Sequence, residues 1–347
     1  MESVTALDDV TLADGLARWL ARHHGVAEVL VDEVEHPSAG YSSVTTLLRA
    51  RWEGHGGPQV EHLVVRMAPD PPGTFADYDL TVQHAAQRAA ARSGVPIAAP
   101  IVTETDSSWL GAPFTVMARV DGHIIGDAPP FDPWLRALGP DACAELHDRF
   151  LATLARIHGA DVDAASDCGV PRRDAVEELR HWDEYIPWAC GDIPVPALVD
   201  ALGWCRAHAP ARVDGGGPVL CWGDVRLGNV VFGDDLEIRA VLDWDMAMIG
   251  EPEHDLAWLT VLETTLATLS GRRVEGFPGR DGTITRYEAL ADRELHDFEW
   301  YETFALLRST AIMTRIGTLT RAAGHEPVMP VDDNPLLDAL AARTTAS

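Results

Sequence analysis

The sequence predicts an α+β chain in two parts, a small strand-rich unit at 1–118 and a mostly helical remainder at 119–347. Three observations predict it. Short alternating apolar runs broken by turn residues fill the first 120 residues. From Asp141 onward apolar residues recur at helical spacing. Inside that helical part, NVVF and IRAVL flank the turn signal Gly233-Asp234-Asp235 and predict one β-hairpin. A chain of 347 residues is long enough for two units, each with its own core.

Each early element has a local reason. Residues 6–23 place Leu16, Trp19 and Leu20 on one helical face. A strand-like run at 29–35 meets a turn at His36–Gly40, and the alternation in SSVTTLLRARW completes a hairpin. Residues 55–57 (HGG) predict a further turn, 62–67 (HLVVRM) a third strand and 69–73 (PDPPG) a loop. Residues 77–93 predict a helix ended by Ser93-Gly94 and Val95-Pro96. WLGAPFTVMARVDG (109–122) predicts a last strand running into a connector.

Composition excludes several functions. The net charge of −27 argues against nucleic acid or an anionic membrane as partner. No run of 18 apolar residues predicts a membrane span, and the acidic start (Glu2, Asp8, Asp9) lacks the features of a secretory signal. Five scattered cysteines without a CxxC pair suit reduced thiols in a cytoplasmic protein. All 27 basic residues are arginine. Schiff-base chemistry, which needs a lysine amine, is therefore excluded, as is a GK[ST] phosphate loop. Any phosphate clamp must use arginine, which forks onto phosphate oxygens.

The chemistry concentrates between Cys221 and Asp255. Asp224 and Asn229 lie five apart in WGDVRLGN, and the predicted hairpin returns Asp243 beside that loop. Two carboxylates and a carboxamide suit Mg2+, which takes oxygen ligands, with a general base beside it. That combination points to phosphoryl transfer.

WGDVRLGNVVF, AVLDWD and EPEHDLAWL resemble the catalytic signature of the aminoglycoside phosphotransferase-like family, which has a bilobal protein kinase-like fold. The nearest flavour is an actinobacterial branch related to the kinase domains fused to acyl-CoA dehydrogenases. LGAPFTVMARVDG resembles the last strand and hinge of the N-lobe, and FPGRDGTITRYEALADRELHDFEWYETFALLR the branch's C-terminal helices, so the likeness covers nearly the whole chain. It implies a nucleotide-binding N-lobe at 1–118 and, at 119–347, a C-lobe with the catalytic loop, metal site and acceptor-binding helices. It also implies an ATP-dependent (GTP possible) O-phosphotransferase acting on a small-molecule hydroxyl. Asp224 matches the catalytic base, Arg226 a cation on the transferring phosphate, and Asn229 and Asp243 the metal ligands. Arg66 matches the cation on the α- and β-phosphates. Gly40, Tyr41, Ser42 and Ser43 match the phosphate-covering turn. Met117 would flank adenine, with the Ala118 carbonyl and Val120 amide on its edge.

Three departures from the family pattern stand out: Trp222 replaces a histidine, Arg66 a lysine and Gln83 a glutamate. Asp79 or Gln83, or phosphate itself, is expected to hold Arg66. Asp255 is expected to buttress the catalytic loop, and Trp182, Trp188, Trp204 and Trp258 to serve mainly the core. The acceptor stays open between an aminoglycoside and a hydroxyacyl-CoA or other hydroxylated metabolite. The oligomeric state, monomer or homodimer, stays open too. An inactive nucleotide-binding regulator is the rival from another class.

Overall fold

The computed structural model describes residues 8–37, 43–68, 73–76, 78–210 and 217–345. The chain divides into two compact units, Met1–His84 with Ala98–Val120, and Ala85–Ile97 with Asp121–Ser347. Residues 85–97, expected in the first part, group with the second. There Val241 N donates to Pro96 O and Arg156 reaches Gly94 O.

The first unit opens with α1 (Asp9–His24), then β1 (Leu30–Glu35), β2 (Val44–Gly54) and β3 (Gly57–Met67). After α2 (Leu80–Arg92), which the unit boundary divides, come β4 (Ile101–Glu104) and β5 (Phe114–Ala118). The Asp8 carboxylate caps α1 by accepting the Thr11 amide. The strands form one antiparallel sheet in the order β1-β2-β3-β5-β4. Alternation along β2 and β3 sends Leu48, Ala50, Leu63 and Val65 to one face, where Leu12, Leu16, Trp19 and Leu20 of α1 pack on them. Strand β4 was not anticipated. The expected helix at 77–93 starts only at Leu80, because Asp79 accepts the Thr81 and Val82 amides.

The second unit holds β6 (His123–Ile124), α3 (Pro133–Leu138), α4 (Pro140–His158), α5 (Val162–Asp167), α6 (Ala175–Cys190) and α7 (Pro196–Ala207). Next come β7 (Val219–Cys221), β8 (Val230–Phe232), β9 (Ile238–Val241) and β10 (Met248–Gly250). Helices α8 (Glu253–Ser270), α9 (Gly279–Ala291), α10 (Phe298–Ala322) and α11 (Pro335–Thr345) complete it. The predicted hairpin is β8–β9, with β6 added along β8. A second ladder, β7–β10, was not anticipated. Most of α10 through Thr314 is buried on all sides, as expected of a helix at the centre of a bundle. Among the described residues, no helix is long and apolar enough to cross a membrane.

Candidate active site

The loop between β7 and β8 carries Trp222, Gly223, Asp224, Arg226 and Asn229. Gly223 has φ 94°, and a Cβ there would come within 2.3 Å of Met246 O, so only glycine fits. Asp255, fully buried in the first turn of α8, fixes this backbone from behind. Its Oδ2 accepts Trp222 N at 2.7 Å and its Oδ1 accepts Gly223 N at 2.9 Å. His158 Nε2 lies 3.0 Å from the same Oδ2, and His158 Nδ1 lies 2.5 Å from Tyr287 Oη. Burial pushes the Tyr287 hydroxyl well above its ordinary pKa, so it stays protonated inside this network.

The hairpin register sets Asp243 beside Asn229. Val230 pairs with Val241, and Leu242 N donates to Asn229 O at 2.8 Å. Asp243 follows in the left-handed region at φ 55°, a conformation costing a non-glycine residue roughly 1–3 kcal/mol and common at functional positions. Trp222 explains how its departure from the family pattern is accommodated. Its buried indole Nε1 donates to both Leu242 O (2.9 Å) and Asp243 O (2.8 Å), pinning the second loop to the first.

All three oxygens of Asp224 are engaged. Its backbone oxygen accepts Asn229 Nδ2 at 3.0 Å. Oδ2 accepts the same nitrogen at 2.7 Å and Arg226 Nε at 3.0 Å. Oδ1 accepts Trp258 Nε1 at 2.9 Å. With Nδ2 of Asn229 committed, its Oδ1 is the atom suited to a metal. Arg226 also donates through Nη1 to Asp127 at 2.5 Å. Burial works against its charge, but the carboxylates of Asp224 and Asp127 outweigh burial and raise its pKa above the ordinary value.

The donor set fits magnesium. Asn229 and Asp243 offer hard oxygen donors, and Mg2+ commonly takes one or two carboxylates and completes its shell with water and phosphate. Among the described residues, no three His, Cys, Asp or Glu side chains form a group able to cage a metal.

The first unit brings another set together. Arg66 on β3 pairs in register with Thr45 and Thr115. Its Nε donates to Ser43 Oγ at 2.9 Å and its Nη2 to Tyr78 Oη at 3.4 Å. Neither hydroxyl partner was anticipated, whereas Asp79, one of the two expected, caps α2. Met117 is buried on β5. Beyond it, Ala118 N donates to Pro100 O and Arg119 N to His62 O, while Val120 N has no backbone acceptor among the described residues. Gly40, Tyr41 and Ser42 lie outside the described residues.

Trp258 is buried as expected, but sequence reasoning missed its bond to Asp224, and it missed Asp127. The signal for Trp258 was its place three residues after Asp255, on the same helical face.

The model of the phosphotransferase enzyme family matches residues 33–292. The chain belongs to that family. The fold is the kinase-like α+β fold of the aminoglycoside phosphotransferases. Acyl-CoA dehydrogenase family member 11 of Gallus gallus is 28% identical over 258 residues, covering 71% of this chain. The match takes in only 30% of that relative and, for family member 10 of Mus musculus, 21%. Among solved structures, a candidate aminoglycoside phosphotransferase of Ralstonia eutropha superposes with a TM-score of 0.64 at 21% identity, covering 96% of this chain and 94% of that one. A thermostable mutant of the aminoglycoside phosphotransferase APH(4)-Ia, in ternary complex with ADP and hygromycin B, gives 0.55 at 16% identity, with 96% and 99% covered.

Proposed function

We propose that this phosphotransferase moves the γ-phosphoryl group of ATP, with GTP as a possible alternative, onto a hydroxyl of a small molecule in the cytoplasm. The observation carrying this reading is the Asp224 carboxylate, held by Arg226, Asn229 and Trp258 on a loop that Asp255 anchors. Asp224 orients the acceptor hydroxyl and takes its proton as the O–P bond forms. Arg226, one fork nitrogen on Asp224 and another on Asp127, offers its positive charge to the transferring group. Arg66 binds the α- and β-phosphates beside Ser43. Met117 flanks adenine, and Val120 N bonds its edge. Asn229 and Asp243 would hold Mg2+, which would supply positive charge to the phosphate oxygens.

For the acceptor we favour a hydroxyacyl-CoA or a related hydroxylated metabolite over an aminoglycoside. Its support is the similarity to acyl-CoA dehydrogenase family members, which exceeds in identity the likeness to antibiotic kinases. The inactive-regulator reading loses ground because Asp224, Asn229 and Asp243 are all present and three donors hold the Asp224 carboxylate in place.

ADP release tests the proposal. Purified protein with Mg-ATP or Mg-GTP is screened against hydroxyacyl-CoAs, free hydroxy acids and aminoglycosides, with Asp224→Ala as control. Acceptor-dependent ADP release that vanishes in the control is expected. Release that survives in Asp224→Ala would sink the mechanism.

A further inference from the structure

Behind the catalytic carboxylate lies a buried cation that phosphoryl transfer itself does not call for. Arg308 on α10 is 2% exposed. Its guanidinium carbon lies 5.0 Å from the ring centroid of Trp258, 5.3 Å from Phe304 and 6.0 Å from Trp182. Nη2 donates to His254 O at 3.2 Å, and Nη1 lies 3.7 Å from Glu178 Oε1. Glu178, equally buried, also accepts Trp182 Nε1 at 3.3 Å and Arg173 Nη1 at 3.1 Å. Burial alone would raise the Glu178 pKa, but Arg308 and Arg173 outweigh it and keep the carboxyl ionised.

A core of this size could be filled with apolar side chains. Burying a guanidinium and a carboxylate is costly unless both are well paired, and Arg308 Nε finds no partner among the described residues. The arrangement makes physical sense when Trp258 is followed to its far edge. One end of the indole sits on Arg308, and its Nε1–H points at Asp224 Oδ1, 2.9 Å away. A cation against the ring face fixes the plane of the indole and draws electron density from it, strengthening the N–H as a donor.

The lone pairs of Asp224 give this contact a consequence. A carboxylate offers about four acceptor positions. Two donors, Arg226 and Asn229, take Oδ2, and Trp258 takes one position on Oδ1. One position therefore stays open, on Oδ1, and Trp258 decides where it points. We infer that Trp258, seated on the buried Arg308, is a positioning residue that turns the open lone pair of Asp224 Oδ1 toward the acceptor hydroxyl. The inference rests on Asp224 being the base.

Trp258→Phe tests it, because an aromatic ring remains against Arg308 while the N–H is lost with the five-membered ring. Turnover is measured as ADP release from Mg-ATP with the best acceptor of the screen. The loss of one hydrogen bond to a charged group predicts a fall in kcat of roughly 10- to 100-fold, with the KM for ATP within about twofold of wild type. A general loosening of the core would not split kcat from KM in this way. A second readout needs no turnover. In spectra of protein labelled at the indole nitrogens, the resonance missing from Trp258→Phe should shift strongly in Asp224→Asn. Arg308→Met should lower kcat in the same direction. Wild-type kcat in Trp258→Phe, with Asp224→Ala inactive, overturns the positioning role. So does a Trp258 resonance indifferent to Asp224→Asn. Full turnover in Asp224→Ala overturns instead the base assignment beneath it.

Discussion

Replacing Asp255 with asparagine should dislodge the catalytic loop without changing its volume. The native carboxylate accepts three donors: Trp222 N and His158 Nε2 on Oδ2, and Gly223 N on Oδ1. Asparagine keeps one oxygen. Its best placement leaves that oxygen facing Trp222 and His158, so its NH2 group confronts Gly223 N, donor against donor. The variant loses one charge-assisted bond outright and weakens two others by removing the charge. A bond to a charged group contributes about 1.5–3 kcal/mol, so a total loss of about 3 kcal/mol is expected. At about 2–4 °C per kcal/mol for a unit of this size, the thermal midpoint should fall by roughly 6–12 °C. Near-UV circular dichroism reads the change, because the reporting indole of Trp222 is itself displaced. Turnover should drop as well, since Gly223 is the residue next to the base and small displacements of a catalytic group are costly. A midpoint within about 2 °C of wild type, with unchanged turnover, would refute the claim that Asp255 holds the loop.

Further expectations follow from the same geometry. Gly223→Ala should destabilise the protein by at least about 1–3 kcal/mol in chemical denaturation and abolish turnover, because the left-handed backbone and the Met246 carbonyl leave no room for a Cβ. Asp243→Asn should weaken Mg2+ binding, read as a rise in the magnesium concentration giving half-maximal ADP release, and chelation should remove wild-type activity reversibly. His181 predicts a pH effect. Burial holds its pKa below the ordinary 6.5, with Glu178 pulling the other way. Below about 6.5 the unfolded chain then binds more protons than the folded one, so stability falls as pH drops toward the folded value. His181→Asn should show a shallower loss between pH 6.5 and 5 in urea titrations, and equal slopes would count against it.

What the sequence made legible was whatever repeats or is spaced locally. The alternation along β2 and the apolar run HLVVRM in β3 predicted both strands. The five-residue spacing of Asp224 and Asn229, with the turn at Gly233, placed Asp243 correctly because one hairpin carries the whole arrangement. Strands β6, β7 and β10, two or three residues each, are too short for any period to register. Strand β4 takes its identity from β5, across a loop that no pattern announces. Two partners of Arg66 were not anticipated for a similar reason. The helix count pointed to Asp79 or Gln83, with phosphate as the alternative, whereas Ser43 and Tyr78 offer hydroxyls and Asp79 serves as a cap. Trp258 reaches Asp224 over 34 residues, and Arg308 reaches Glu178 over 130; contacts so distant leave no local trace.

The absence of lysine acquires a structural meaning at Arg226. A lysine there would present one compact charge. Arginine instead spreads its donors over a planar fork, and this fork already serves two carboxylates, Asp224 through Nε and Asp127 through Nη1. To engage a phosphoryl group, Arg226 must use its remaining donors or release Asp127, which is largely exposed and so loses little on release. The proposed mechanism would therefore separate two roles within one side chain: Nε holds the Asp224 carboxylate, and the terminal nitrogens are left for the transferring group. Arg226→Lys keeps the charge but cannot keep both roles, and kcat should fall while nucleotide affinity stays near wild type. A lysine variant with wild-type kcat would mean that charge alone suffices and that the fork is incidental.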